Sequence, residues 1–141
     1  MKKWILLLLG LVVMSGLQSC DNFSDCIINT RPHLPHKDFD NGLAGVYYED
    51  RIRSEVKNEP RDDAYWYYYT VIGLPAGMDY EFAGRDLFIY GTPQEPGRYS
   101  VQVYLEVEPR ILVFDDGDGW DEDGDRLCSY TDERHFSLWI Q

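Results

Sequence analysis

The chain has 141 residues, of which 44% are hydrophobic and 27% charged, with 25 Asp and Glu against 13 Lys and Arg for a formal net charge of −12. That length supplies one domain. Negative charge on this scale excludes a general nucleic-acid role, because nothing neutralises phosphates, and disfavours adhesion of the folded part to an anionic lipid surface. Its plainest meaning is solubility, and it admits a basic partner or a cation.

The first element in chain order is a leader. Lys2 and Lys3 precede an apolar run from Trp4 to Val13, which is too short to span a bilayer and has the length of a signal-peptide core. Leu17-Gln18-Ser19-Cys20 follows, where a small-residue cleavage site would otherwise stand. This combination resembles the lipobox of bacterial lipoproteins. The resemblance implies cleavage before Cys20, which then carries palmitate-type chains, diacylated on sulfur and acylated on nitrogen. Several acyl chains anchor a protein stably where one does not. Asp21 resembles the inner-membrane retention signal of enterobacterial lipoproteins. The expected organisation is a signal peptide at 1–19, a lipidated N-terminus and tether at 20–42, and a folded domain at 43–141. It would face the periplasm or exterior of a bacterial envelope, held to the membrane by lipid. Loss of the two leader lysines leaves 11 basic residues against 25 acidic ones, a mature charge of −14.

With Cys20 lipidated, Cys26 and Cys128 remain. In an exported, oxidising compartment two such residues read as a disulfide, and two separate buried thiols are the alternative.

Beyond the tether the chain reads as strands and turns, with no sustained helical spacing. Residues 43–56 mix Val46, Tyr48 and Ile52 with charges, as a half-buried strand does. Residues 58–63 are a loop. The segment "AYWYYYTVI" is dense in aromatic and β-branched residues, which favour strands. "GLPAG" is a stiff turn, with Pro75 fixing φ and Gly77 free to take positive φ. Leu74 and Met78 bracket it and plug one end of the core. "MDYEF" and "DLFIY" flank Ala83-Gly84-Arg85 as a hairpin. Gly91-Thr92-Pro93 closes it, since Pro93 cannot continue a central strand. In "RYSVQVYLEVE", Tyr99, Val101, Val103, Leu105 and Val107 share one face. In "HFSLWI", Phe136, Leu138 and Ile140 do the same. A period of two predicts antiparallel sheets with one buried face. About seven short strands with Gly and Pro punctuation predict an all-β, Ig-like antiparallel sandwich. Tyr99 stands where such sandwiches use a Tyr hydroxyl to bond the backbone at a corner.

The stretch from Tyr67 to Val107 is similar to the Ig domain of bacterial surface proteins, related to dystroglycan-type cadherin-like domains. The likeness is carried by Gly-Leu-Pro-x-Gly, Ile-x-Gly-Thr-Pro and Gly-x-Tyr-x-Val-x-Val. Two departures stand out: Met78 replaces Leu, and the connection at 110–133 is long and acidic. The resemblance implies an Ig-like, cadherin-like fold used outside the cytoplasm for adhesion or spacing, without catalysis.

Two segments hold candidate sites. In "DDGDGWDEDGD", Asp121, Asp123 and Asp125 have the first, third and fifth spacing of a calcium loop, and Asp116 and Asp118 offer a second set. Hard oxygens on a Gly-rich backbone suit Ca²⁺. Arg126 and Asp132 occupy the places of Gly and Glu, so neither set completes the motif; a solvated acidic loop is the alternative. The second segment is the run Tyr65 to Tyr69. A strand buries alternate members, so Trp66 and Tyr68, together with Tyr104 and Trp139, are candidates for an outer binding surface. The alternative packs these rings under long loops. His33, His36 and His135 read as solvated rather than as metal ligands. No motif frames a nucleophile, a zinc site or a phosphate cradle. The chain thus reads as a lipid-anchored, non-catalytic binding or structural module of the bacterial envelope, with an envelope protein as partner. Two alternatives stay open: an acidic inhibitor or immunity-type lipoprotein that binds a basic protein, and a Ca²⁺-dependent adhesion domain.

Overall fold

A computed structural model describes Cys26, residues 29–110 and residues 127–141. Among the described residues eight strands follow in chain order: β1 (Arg31–His33), β2 (Tyr48–Arg53), β3 (Glu55–Lys57), β4 (Tyr65–Ile72), β5 (Met78–Ala83), β6 (Asp86–Gly91), β7 (Gly97–Pro109) and β8 (Thr131–Ile140). Every strand pairing is antiparallel, in the orders β1-β3, β2-β6-β5 and β4-β7-β8. A parallel bridge joins Gly42 to Ile140. Only Ser54 separates β2 from β3. Taken with β1, they complete a layer that faces β4-β7-β8 in the strand order of an Ig-like sandwich.

Alternation builds the core. Val101, Val103, Leu105 and Val107 of β7 have no exposed surface, and Phe136, Leu138 and Ile140 of β8 are at most 1% exposed. Tyr65, Tyr67 and Tyr69 of β4 lie beside them. From the other layer, Tyr48, Ile52, Leu87 and Ile89 join the same cluster. Burying each of these aliphatic side chains contributes about 1.5–3 kcal/mol relative to leaving it in water.

The turns behave as their composition requires. Gly77 and Gly91 both have positive φ and oppose one another closely. A Cβ on Gly91 would strike the Gly77 carbonyl, and one on Gly77 would strike that of Thr92. The bonds Thr92 N to Gly77 O (2.9 Å) and Gln94 N to Ala76 O (3.0 Å) use that closeness. Leu74 and Met78 pack against the core, as expected from their places around the turn. The Tyr99 hydroxyl donates to the Glu95 carbonyl at 3.0 Å, closing the corner before β7. Tyr99→Phe is expected to cost about 1 kcal/mol, the worth of one such bond. Urea unfolding measures it, and an unchanged midpoint contradicts the role.

The structure departs from the expected tether at 20–42. Residues 31–42 belong to the sandwich. Pro32, Leu34 and Phe39 are buried, and β1 places Pro32 opposite Val56. The segment is bound through Leu34 N to Asp132 Oδ2 (2.8 Å), Ser137 N to Asp38 Oδ1 (2.9 Å) and the Phe39–Phe136 ring contact. Its prolines mark an edge strand, where a missing N–H costs nothing. The expected disulfide is present: Cys26 and Cys128 are bonded, with Cα atoms 5.6 Å apart. Cys20 and the acidic residues Asp116, Asp118, Asp121, Asp123 and Asp125 lie outside the described residues.

Candidate functional site

The outer face of β4-β7-β8 gathers the exposed aromatic side chains of this layer. Because Tyr65, Tyr67 and Tyr69 point inward, the intervening Trp66 and Tyr68 point outward, at 51% and 43% exposure. Tyr104 and Trp139 share that face and are also exposed. Among the described residues no loop covers these rings. Register decides which of them meet. Trp66 opposes Glu108, Tyr68 opposes Glu106, and Thr70 opposes Tyr104. Tyr104 is thus the diagonal neighbour of Tyr68, within reach of a long side chain. Trp66, Tyr68 and Tyr104 form one group. Trp139 opposes Arg98, about 20 Å further along the sheet at the usual rise per residue.

Several residues of this face were not anticipated from the sequence. Ile72, 59% exposed, extends the β4 row. The Arg110 guanidinium sits 4.1 Å from the Trp66 ring centre, and Arg98 lies 5.1 Å from that of Trp139. These stackings orient both indoles. Between the aromatic ends runs a polar strip. Gln102 Nε2 donates to Glu133 Oε1 at 2.6 Å, and Ser100 Oγ lies 3.3 Å from His135 Nδ1. Alternation pointed these side chains outward, but which of them pair depends on register.

The inward tyrosines are locked donors. Tyr67 OH donates to Asp62 O at 2.9 Å and Tyr69 OH to Arg85 O at 2.8 Å. Burial is the first cause that pushes the Tyr69 phenol up to about 12, and it raises Tyr67 and Tyr48 further. All three stay protonated at neutral pH. Arg85 pairs with Asp62 and Asp63, fixing the loop before β4 to the β5–β6 turn.

Across the molecule, the outer face of β2-β6-β5 carries a shallow depression of about 250 Å³ lined by Tyr47, Glu49, Glu81, Phe88 and Tyr90. The His33 and His36 rings lie 5.4 Å apart, tilted at 52°, beside the Asp132–Arg134 stretch of β8, with His33 Nδ1 3.9 Å from Asp132. Burial, followed by the charge of Lys57, lowers the His33 pKa from 6.5, against the opposite pull of Asp132 and Glu55. The folded state therefore binds fewer protons here than the unfolded chain. Stability is expected to fall as pH drops through 6.5 toward the lower native value. Urea midpoints across that window test this, and His33→Gln should flatten the slope. A slope unchanged by His33→Gln contradicts it.

No protein-family model matches the chain, and no curated protein does. Solved structures similar to it include an endo-fucoidan hydrolase of glycoside hydrolase family 107 (13% identity, TM-score 0.49), with 82% of this chain covering 14% of that one. Another is a Bacteroides fragilis protein assigned as an α-galactosidase/melibiase (14% identity, TM-score 0.48), with 78% covering 17%. Titin domain M7 is similar over 81% of this chain and 97% of its own (8% identity, TM-score 0.40). The chain thus spans less than a fifth of either carbohydrate-related protein. No helix among the described residues is long and apolar enough to cross a membrane.

Proposed function

We propose that this protein is a lipid-anchored, non-catalytic binding module of a bacterial envelope, and that it engages a protein partner through the outer face of β4-β7-β8. The carrying observation is the open display of Trp66, Tyr68 and Tyr104 on one rigid sheet. Exposed Trp and Tyr offer contact area at low entropic cost and are the side chains on which interfaces concentrate their energy. A flat face also suits a macromolecule better than a small substrate, which needs a concave site. The lipobox-like Leu17-Gln18-Ser19-Cys20 supports attachment at Cys20. The bonded Cys26–Cys128 pair suits an oxidising compartment.

Two measurements test the two halves of this reading. Metabolic labelling with a clickable palmitate analogue should mark the wild-type chain and spare Cys20→Ala; equal labelling of both contradicts lipidation. Photo-crosslinking residues at Tyr104 and Trp139 should give one discrete adduct in the native envelope, and one at Arg51 on the opposite layer should give none. Adducts from both faces alike, or from neither, contradict the assignment of the face.

A further inference from the structure

We propose that the edge of β4 from Tyr67 to Val71 accepts an extended segment of a partner protein as an added strand, one in which apolar residues alternate with Lys or Arg. This rests on the binding-module reading and names the chemistry of the partner. Exposed sheet edges pair readily, and proteins blunt the ones they do not use. The β8 edge is partly covered, by Gly42 N to Trp139 O, Gln141 N to Gly42 O and Ala44 N to Gln141 O, each 2.9 Å. β5 carries Asp79 and Glu81. β4, "YWYYYTVI", has no charge, Gly or Pro along its 8 residues.

Its hydrogen-bonding phase is readable. Arg110 N donates to Ala64 O at 2.9 Å, one step before the Tyr65–Pro109 pair. Alternation along an antiparallel ladder then directs the backbones of Trp66, Tyr68, Thr70 and Ile72 toward β7. The N–H and C=O groups of Tyr67, Tyr69 and Val71 point the other way, toward the edge of the sheet. The bond from Val107 N to Tyr130 O (2.9 Å) agrees, because it assigns the odd-numbered residues of β7 to β8. Among the described residues nothing bonds those outward groups. They form an unfilled ladder of the kind used in strand addition.

The surroundings specify the added strand. Beyond the β4 edge lies β5, with the Tyr69 and Phe82 rings 5.5 Å apart. Phe82 faces the sandwich interior yet is 41% exposed, and Met78 and Tyr80 beside it are half-buried. Inward side chains of an added strand would cover these three, so they should be apolar. Outward side chains would stand beside Trp66 and Tyr68, with Glu106 and Glu108 one strand further in. The nearby cations are engaged: Arg110 on Trp66, and Arg85 with Asp62 and Asp63. Basic residues therefore fit the outward places. A second copy, at −12 per chain, meets like charge there.

The test uses the full-length chain and a synthetic peptide of alternating Val and Lys about as long as β4, read by amide hydrogen exchange. Exchange at Tyr67, Tyr69 and Val71 should slow about tenfold or more, as it does when an open amide enters a ladder. The effect should weaken in salt and vanish with a Val–Glu peptide. Val71→Pro removes one outward donor without touching the β7 ladder and should abolish protection; Tyr68→Lys, at an exposed side chain, should abolish it by like charge. Four outcomes overturn the proposal. They are unprotected β4 amides at saturating peptide, protection that survives in both folded variants, equal protection by the Val–Glu peptide, and protection without peptide that grows with protein concentration. If the Tyr104 and Trp139 cross-links persist while the β4 amides stay unprotected, the edge proposal fails alone; loss of those cross-links removes the binding face itself.

Discussion

Replacing Cys128 by Ser is expected to lower the free energy of unfolding by about 2–5 kcal/mol, the usual loss when a small domain gives up a native disulfide. The bond spans 102 residues of sequence. A ring of that size removes much freedom from the unfolded chain, worth about 4–5 kcal/mol in the chain-entropy description. It also acts at a definite place. Cys128 N donates to Thr30 O at 2.8 Å, so the bridge sits where the entry to β1 meets the approach to β8. Losing it should loosen β1 and the buried Pro32, Leu34 and Phe39 before the β4-β7-β8 sheet. Urea unfolding with and without reductant measures the energy, and exchange at residues 31–39 measures the place. A loss under 1 kcal/mol, or uniform loosening, contradicts this account.

Phe136→Ala is expected to cost about 3–5 kcal/mol, in the range for aromatic truncation in a packed core. Phe136 is 1% exposed and opposes Val101 across β7–β8. Its ring also touches Phe39 at 5.3 Å. The truncation therefore removes a shared contact between the central sheet and the N-terminal segment. Ser137→Ala, next to it and exposed, should change stability by less than about 0.5 kcal/mol. Equal effects of the two substitutions contradict the inward placement of Phe136.

How far the sequence could be read follows from the kind of information each element carries. β7 and β8 were legible because one face is buried along their length, so Val101 to Val107 and Phe136 to Ile140 alternate without a break. The hairpin and the Gly-Pro turns were legible for local reasons: Gly77 and Gly91 hold φ values that other residues resist. The outward setting of Trp66, Tyr68, Tyr104 and Trp139 followed from the same alternation. β1 was hidden because Pro32, Leu34 and Phe39 follow no period. Each is buried by a partner far along the chain, such as Asp132 or Phe136, and no local pattern announces such a partner. The split of the aromatic face, with Trp139 apart from the other three, needed the β4–β7–β8 register. So did the direction of the Tyr67, Tyr69 and Val71 backbone away from β7, because hydrogen-bonding phase leaves no mark on side-chain choice.

Hydroxyl-radical footprinting of the folded chain, resolved to single residues by mass spectrometry, tests the central claim most directly: β4 splits its aromatic run between a shared core and an open outer face. Trp66, Tyr68, Tyr104 and Trp139 should be labelled quickly, and Tyr65, Tyr67 and Tyr69 should be protected until the chain unfolds. Labelling of Tyr67 and Tyr69 as fast as that of Tyr68 would contradict both the two-layer packing and the face built on it.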